Sequence, residues 1–249
     1  MHKIKALNNT IYLKREDTQP VFSFKIRGAY NKMAHLSQEQ LRHGVVACSA
    51  GNHAQGVALS ARMLGCHATI VMPLATPSIK VNSVRIHGGD AVEIRLFGNT
   101  YDEAAAEAKR LVDEENMTMI HPFNDPYVIA GQGTIGMEIL KDCVSKPLDA
   151  IFVCCGGGGM LAGIAAYVKR VRPQVKVIGV EAADAAGMTR SISEGKVVTL
   201  DSVGLFADGA AVKTIGDETF RICNNLVDDM ITVTTDQICN AIKLSYNDA

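Results

Sequence analysis

Short runs of β-branched and apolar residues alternate with longer stretches of helical periodicity along most of this 249-residue chain. The short runs predict strands, namely Ile11–Lys14, Val45–Cys48, Ala68–Met72, Ala91–Ile94, Met117–Ile120, Ala150–Cys154, Val175–Val180 and Met230–Val233. The longer stretches predict helices, namely Lys25–Leu36, His53–Leu64, Pro77–His87, Tyr101–Glu115, Val128–Asp142, Met160–Val171 and Asp236–Leu244. Such alternation is typical of an α/β fold with parallel or mixed sheets flanked by helices. Apolar strands such as Ile151–Cys154 fit a sheet covered on both faces.

Two polar segments interrupt this pattern. Ser37–Gly44 is polar, and His121–Pro126 contains two prolines, an Asn and an Asp, which favour turns. They bracket the four predicted strands between Val45 and Ile120. We therefore predict a small domain at residues 44–122 and a large domain formed by residues 1–43 and 123–249.

The composition excludes several classes of function. Lys and Arg number 25 against 26 Asp and Glu, so no overall basic field would attract nucleic acid or anionic lipid. No apolar run approaches the roughly 20 residues of a membrane span, and Met1–Lys5 lacks the apolar core of a signal peptide. The seven cysteines are odd in number and form no C-x-x-C motif, which favours reduced, mostly buried thiols. These features predict a cytoplasmic protein, or an organellar one if a targeting segment is missing.

A lysine with apolar neighbours opens the first predicted helix. Lys25 lies between Phe24 and Ile26, and both burial and the positive end of the helix dipole would favour its neutral form. A neutral lysine can form an imine with an aldehyde cofactor. The segment Ser23–Tyr30 is also compatible with an exposed lysine at a helix start.

Two loops lie between an apolar strand and a helix. In Ser49–Gly56, backbone N–H groups, Asn52 and Ser49 could receive a carboxylate, although an ordinary turn with an Asn cap has the same pattern. The loop at Gly156–Met160 contains four consecutive glycines, which allow the backbone to approach a ligand closely. A phosphate bound by N–H groups at the helix N-terminus is the interpretation we favour for this second loop.

The glycine loop also fits a dinucleotide fingerprint. Gly157–Ala162 satisfies G-x-G-x-x-A, and Glu181 follows at the end of the next predicted strand, where it could bind a ribose. The fingerprint usually occurs at the first strand-to-helix turn, whereas this loop lies late in the chain. The loop alone leaves a nicotinamide enzyme open.

Taken together, six segments resemble the fold-type II family of pyridoxal-phosphate enzymes, in its threonine dehydratase and serine racemase branch. They occur in family order and span nearly the whole chain: Lys14–Asp17, Ser23–Tyr30, Ser49–Gly56, Val128–Thr134, Gly156–Gly163 and Ala207–Gly209. The resemblance implies a large cofactor domain, a smaller mobile domain, pyridoxal 5′-phosphate as the cofactor and an amino acid as the substrate.

The resemblance also implies roles for individual residues. Lys25 would hold the cofactor as a Schiff base and then remove the α-proton of the substrate. Phe24 would pack beside the cofactor, Asn52 would hydrogen-bond its 3′-hydroxyl, and Gly209 would lie near it. The substrate carboxylate would be received by Ser49, Ala50, Gly51, Asn52 and His53. The cofactor phosphate would be held by Gly156, Gly157, Gly158, Gly159 and Met160.

Two features separate the branches of this family and favour the biosynthetic threonine dehydratases. Serine racemases of this kind carry a second serine where this chain has Ala50, which has no proton to donate. The segment Val203–Lys213 resembles the biosynthetic threonine dehydratases more than the catabolic ones. The implied reaction is deamination of L-threonine to 2-oxobutanoate and ammonia, and of L-serine to pyruvate, as the first step of isoleucine biosynthesis.

Because Gly187 replaces a carboxylate near Glu181 and Asp184, we expect no metal site.

Compared with this family, the chain begins and ends abruptly. The serine that contacts the pyridine nitrogen in the family has no counterpart here, and neither do the regulatory domains of biosynthetic members. We therefore expect exposed apolar faces, weak cofactor binding and poor turnover. The family further implies a homo-oligomer, either a dimer or a tetramer. Serine racemase and an inactive cofactor-binding subunit remain as alternatives.

Overall fold

In the computed structural model, which describes residues 2–4 and 9–248, strands and helices alternate as predicted. The strands are β1 (His2–Ile4), β2 (Asn9–Ile11), β3 (Val45–Cys48), β4 (Ala68–Met72), β5 (Val92–Leu96), β6 (Thr118–Met119), β7 (Ala150–Cys154), β8 (Lys176–Ala182) and β9 (Asp229–Val233). The helices are α1 (Lys25–Ala34), α2 (Gln38–His43), α3 (Asn52–Leu64), α4 (Ser78–Gly88), α5 (Tyr101–Glu115), α6 (Pro126–Asp142), α7 (Gly159–Val171), α8 (Gly187–Glu194), α9 (Asp217–Leu226) and α10 (Thr235–Asp248). None of these helices is both long and apolar enough to cross a membrane.

Two parallel sheets form the framework. The first has the strand order β5-β4-β3-β6 and the second the order β7-β8-β9. The predicted α/β fold with helix-flanked sheets is confirmed, and β3, β4 and β7 have the predicted bounds. The domain boundaries at residues 43/44 and 122/123 stay a prediction.

Two predictions about local structure were wrong, and one helix was missed. The strand predicted at Ile11–Lys14 ends at Ile11, and β2 pairs with β1 in an antiparallel hairpin. The polar segment Ser37–Gly44 contains α2, which begins at a capping box formed by Ser37 and Gln40. The sheet containing Ile151–Cys154 is not covered on both faces, because Phe152 is 63% exposed.

That exposed face runs across neighbouring strands. Phe152 is paired with Ile178, and Cys154 with Val180, so their side chains lie on one side of the sheet. Ile151 and Val153 point to the opposite side and are buried against α7.

Five of the seven cysteines are buried, as predicted, whereas Cys154 and Cys239 are exposed.

Helix α1 lies between two other helices, because it packs on α3 on one side and on α6 on the other. At the first contact, a methyl group on Gly56 would lie 3.1 Å from the backbone nitrogen of Ile26. At the second, a methyl group on Gly131 would lie 2.5 Å from the carbonyl oxygen of Arg27. Both glycines therefore allow the backbones to approach closely, which brings Lys25 next to the first turn of α3.

An ion-pair network holds α1 in this position. The Arg27 guanidinium donates two hydrogen bonds to Glu16, at 2.7 and 2.8 Å. It also donates two hydrogen bonds to Glu138 on α6, both at 2.7 Å. Lys14 also pairs with Glu138 at 2.7 Å. These hydrogen bonds lower the pKa of Glu138 to about 2, with Arg27 as the largest cause. Bidentate Arg–carboxylate pairs are geometrically specific, so this network fixes the orientation of α1.

Candidate active site

The strand order of the first sheet defines a cleft. From β3, the chain continues outward through β4 and β5, and then returns to place β6 on the other side of β3. In parallel sheets, ligands bind at the carboxyl ends of the strands where the order reverses in this way. The loop Ser49–Gly51 follows β3 at this edge, and residues 121–124 follow β6.

Lys25 lies at the start of α1 and is half-buried. Its Nζ donates to the carbonyl oxygen of Pro122 at 2.9 Å and lies 5.4 Å from the centre of the Phe24 ring. Burial lowers the pKa of Lys25 to about 8. The amine therefore gives up its proton more readily than an ordinary lysine, whose pKa is about 10.4.

The loop after β3 presents backbone rather than side chains. Helix α3 begins at Asn52, and no side chain caps its N-terminus. A methyl group on Gly51 would have no neighbour within 4 Å, so there is open space above the loop. Asn52 is exposed, and Ser49, Ala50 and Gly51 are half-buried. Uncapped N–H groups beside open space are suited to a carboxylate.

His53, which was predicted to belong to the substrate loop, points into the protein. Its imidazole is 3% exposed, and Nε2–H donates to the carbonyl oxygen of Ile120 at 2.7 Å. Burial, followed by the charge of Lys25, lowers the pKa of His53 to about 3. The side chain therefore stays neutral and ties the start of α3 to the end of β6.

Other elements pack closely against the glycines of the loop at Gly156–Gly159. Gly158 has a φ of +92° and forms the N-cap of α7 without a side-chain cap. A methyl group on Gly156 would lie 2.9 Å from Cα of Ala210, and one on Gly157 would overlap the Phe123 ring. The Thr219 hydroxyl donates to the carbonyl oxygen of Gly157 at 2.8 Å. Because no side chain caps α7, its first-turn N–H groups, which include those of Gly159 and Met160, can bind an anion.

Gly209 is brought to the same place by the chain fold. It lies in a short 3₁₀ turn, Asp208–Ala210, whose last residue contacts Gly156. A methyl group on Gly209 would have no neighbour within 4 Å. The turn therefore packs against the glycine loop through Ala210, while Gly209 itself faces open space.

Sequence reasoning missed the segment at residues 121–124, which was interpreted only as a polar boundary. Pro122 accepts the hydrogen bond from Lys25, and the Phe123 ring contacts the glycine loop. The signal that could have found it is its place after β6, next to the Asn52 loop in the reversed strand order.

Comparison with known proteins decides the family. Residues 2–249 match the family model described as pyridoxal-phosphate dependent enzyme. The chain belongs to this family. It is 57% identical over 242 residues to the biosynthetic L-threonine dehydratase of Burkholderia multivorans, covering 97% of this chain and 48% of that protein. It is 59% identical over 239 residues to the biosynthetic, chloroplastic threonine dehydratase of Arabidopsis thaliana, covering 96% of this chain and 40% of that protein.

Solved structures agree with the fold-type II architecture. The processed form of threonine deaminase isoform 2 from Solanum lycopersicum superposes with a TM-score of 0.92 at 50% identity, covering 96% of this chain and 64% of that chain. Maize serine racemase superposes with a TM-score of 0.87 at 37% identity, covering 93% of this chain and 68% of that one. The chain spans less than half the length of the threonine dehydratases of Burkholderia multivorans and Arabidopsis thaliana.

The site fits the cofactor of this pyridoxal-phosphate family. It has an amine of lowered pKa, an uncapped glycine turn for a phosphate, and open space at Gly51 and Gly209. The dinucleotide alternative fits less well, because the buried Glu181 carboxylate accepts from the N–H groups of Met188 and Thr189 at 2.8 Å and from the Thr189 hydroxyl at 2.7 Å. Glu181 thus caps α8 and is not available to a ribose. Among the described residues, no group of three His, Cys, Asp or Glu side chains is arranged to hold a metal ion.

Proposed function

We propose that this protein deaminates L-threonine to 2-oxobutanoate and ammonia, and L-serine more slowly to pyruvate, with pyridoxal phosphate bound to Lys25. The observation that carries the proposal is the Lys25 amine, half-buried, lowered in pKa and linked to the uncapped glycine turn through Pro122 and Phe123. Relatives with 52–59% identity that are named threonine dehydratases support the choice of substrate. The names of the Burkholderia multivorans and Arabidopsis thaliana relatives include the word biosynthetic, which supports a role in the first step of isoleucine biosynthesis.

Each group of residues would make a separate contribution. Pyridoxal phosphate supplies, when bound, an electron-withdrawing ring that makes the α-proton of an amino acid acidic. The N–H groups at Gly156–Met160 would hold the phosphate, and Phe24 would pack beside the ring, with Gly209 nearby. Asn52 would donate to the ring hydroxyl. The backbone at Ser49, Ala50 and Gly51 would bind the substrate carboxylate, and Lys25 in its neutral form would accept the α-proton.

The family and the names of the relatives also bear on assembly and location. We propose a homo-oligomer, because the family to which the chain belongs implies one. We propose a cytoplasmic location, or an organellar one, since some relatives are named mitochondrial or chloroplastic.

Covalent attachment should depend on pH through the Lys25 amine. Only the neutral amine attacks an aldehyde, and the neutral fraction rises as the pH passes the pKa. We therefore expect the rate of pyridoxal-phosphate trapping at Lys25 to be half-maximal near pH 8. The measurement is the initial rate of adduct formation from pH 6 to 11, with samples quenched in borohydride and the Lys25 peptide quantified by mass spectrometry. A midpoint above pH 10, like that of free N-acetyl-lysine, would contradict the assignment.

Threonine and serine distinguish the remaining alternatives. With Ala50 unable to donate a proton, the chain should form 2-oxobutanoate from L-threonine and pyruvate from L-serine, without D-serine. The variant A50S should gain D-serine formation, because the loop at Ser49–His53 would then contain a hydroxyl that can donate a proton to the substrate. Chiral chromatography and 2-oxo acid assays measure both. D-serine produced by the unmodified chain would favour the racemase, and trapped cofactor without any 2-oxo acid would favour the inactive subunit.

A further inference from the structure

Residues His121–Asn124, here called the crossover segment, lead from β6 to α6 and contact several parts of the site. Pro122 accepts from Lys25, and the Phe123 ring occupies the space beside Gly157. The Asn124 amide donates to Asp217 at 2.6 Å, and its oxygen accepts from the N–H of Glu218 at 3.1 Å. The segment thus joins the amine, the glycine loop and the start of α9.

The His121 side chain closes this segment into a turn. Its Nδ1 accepts from the N–H of Phe123 at 3.2 Å and from the N–H of Asn124 at 2.8 Å. Because backbone N–H groups only donate, Nδ1 carries no proton, and the ring is the neutral Nε2–H tautomer. Burial, followed by the positive charge of Lys25, lowers the pKa of His121 to about 4. The ring is therefore a stable acceptor at neutral pH.

Little freedom is left to the Pro122 carbonyl. The proline ring fixes φ of Pro122, and the two N–H groups that follow are held by His121. The Pro122 oxygen is the hydrogen-bond acceptor of Lys25 Nζ, at 2.9 Å. The orientation of that oxygen determines where the amine points before it reacts.

We propose that His121 is a positioning residue, which aims the Lys25 amine by holding the Pro122 carbonyl through the closed turn of the crossover segment. This inference rests on the proposed function, because it assumes that Lys25 is the amine that binds the cofactor. His121 itself would not touch the reacting atoms, and its effect on the direction of the amine would pass through Pro122.

The test compares two polar variants of the 249-residue chain. In H121N, the side-chain oxygen is two bonds from Cβ, as Nδ1 is in histidine, so it can accept from the same N–H groups. In H121Q, the oxygen is one bond further away and cannot take that place. We expect pyridoxal-phosphate trapping at Lys25 to slow by about tenfold or more in H121Q, as for one lost hydrogen bond, and by less than about threefold in H121N.

A second readout needs no cofactor. Trace acetylation by acetic anhydride labels each lysine according to its accessibility and neutral fraction, and Lys109, 74% exposed, provides an internal reference. Lys25 labelling relative to Lys109 should change by about threefold or more in H121Q and stay close to the native ratio in H121N. If H121Q does not give a cooperative thermal transition, H121L supplies the same comparison without an acceptor.

The outcomes separate the two proposals. Native-like labelling and trapping in H121N, together with impairment in H121Q or H121L, supports the positioning role. Any other pattern, including equal behaviour of the two variants, overturns it. If the unmodified chain is not trapped at Lys25 at all, the proposed function fails instead.

Discussion

Replacing Lys25 by arginine is expected to abolish covalent attachment of pyridoxal phosphate and to lower threonine deamination by at least about 1,000-fold. Arginine keeps the positive charge and could still donate to Pro122, but its guanidinium is not deprotonated in proteins and forms no imine. The measurements are borohydride trapping with mass spectrometry and 2-oxobutanoate formation from L-threonine.

The control for K25R is K109R on α5, where the lysine is 74% exposed and pairs with Asp113. This variant should bind the cofactor and react as the unmodified chain does. The variant K25A offers a second check, because added methylamine could replace the missing amine and restore part of the activity. A cofactor adduct retained by K25R at another lysine would show that the assignment of Lys25 is wrong.

The variant G158A is expected to weaken pyridoxal-phosphate binding by about tenfold to a hundredfold. Gly158 has a φ of +92°, and a methyl group there would lie 2.6 Å from Cε of Met188 and 2.9 Å from Cβ of Thr219. Thr219 holds the Gly157 carbonyl, so relief of the overlap would displace the loop proposed to bind the phosphate. Spectroscopic titration with pyridoxal phosphate measures the change.

A matched control separates this loop displacement from backbone strain. Gly65 follows α3 with a φ of +67°, but a methyl group there would have no neighbour within 4 Å. The variant G65A shares the cost of an alanine at positive φ, about 1–2 kcal/mol, and should lower the melting temperature without changing cofactor affinity by more than about twofold. Equal cofactor affinity in G158A and G65A would contradict a phosphate site at the glycine loop.

Local sequence patterns predicted much of the fold because their causes are local. Helix α5 has the predicted bounds, since Thr100 and Glu103 form a capping box and apolar residues follow with helical spacing. Strand β7 and the glycines after it were predicted as a strand, a turn and a helix start, which they are. The helix α2 was missed although its capping box is visible, because its six residues include no buried apolar face.

The side-chain environments of the site could not be predicted in this way. The direction of His53 depends on the carbonyl of Ile120, 67 residues away, and the lowered pKa of Lys25 depends on burial by other elements. The exposed face at Phe152 could not be predicted either, because the residues of this strand are apolar on both of its faces.

The sequence by itself determined which residues could carry the chemistry: a lysine at a helix start, an Asn loop and a glycine run, in an order that resembles one family. Only the tertiary structure decided that these loops meet at one place. The reversal of strand order at β3 and β6 brings the crossover segment against Lys25, which lies 97 residues earlier in the chain than its acceptor Pro122. The physical reason is that hydrogen bonding and burial act across space, whereas sequence periodicity reports only neighbours within one element.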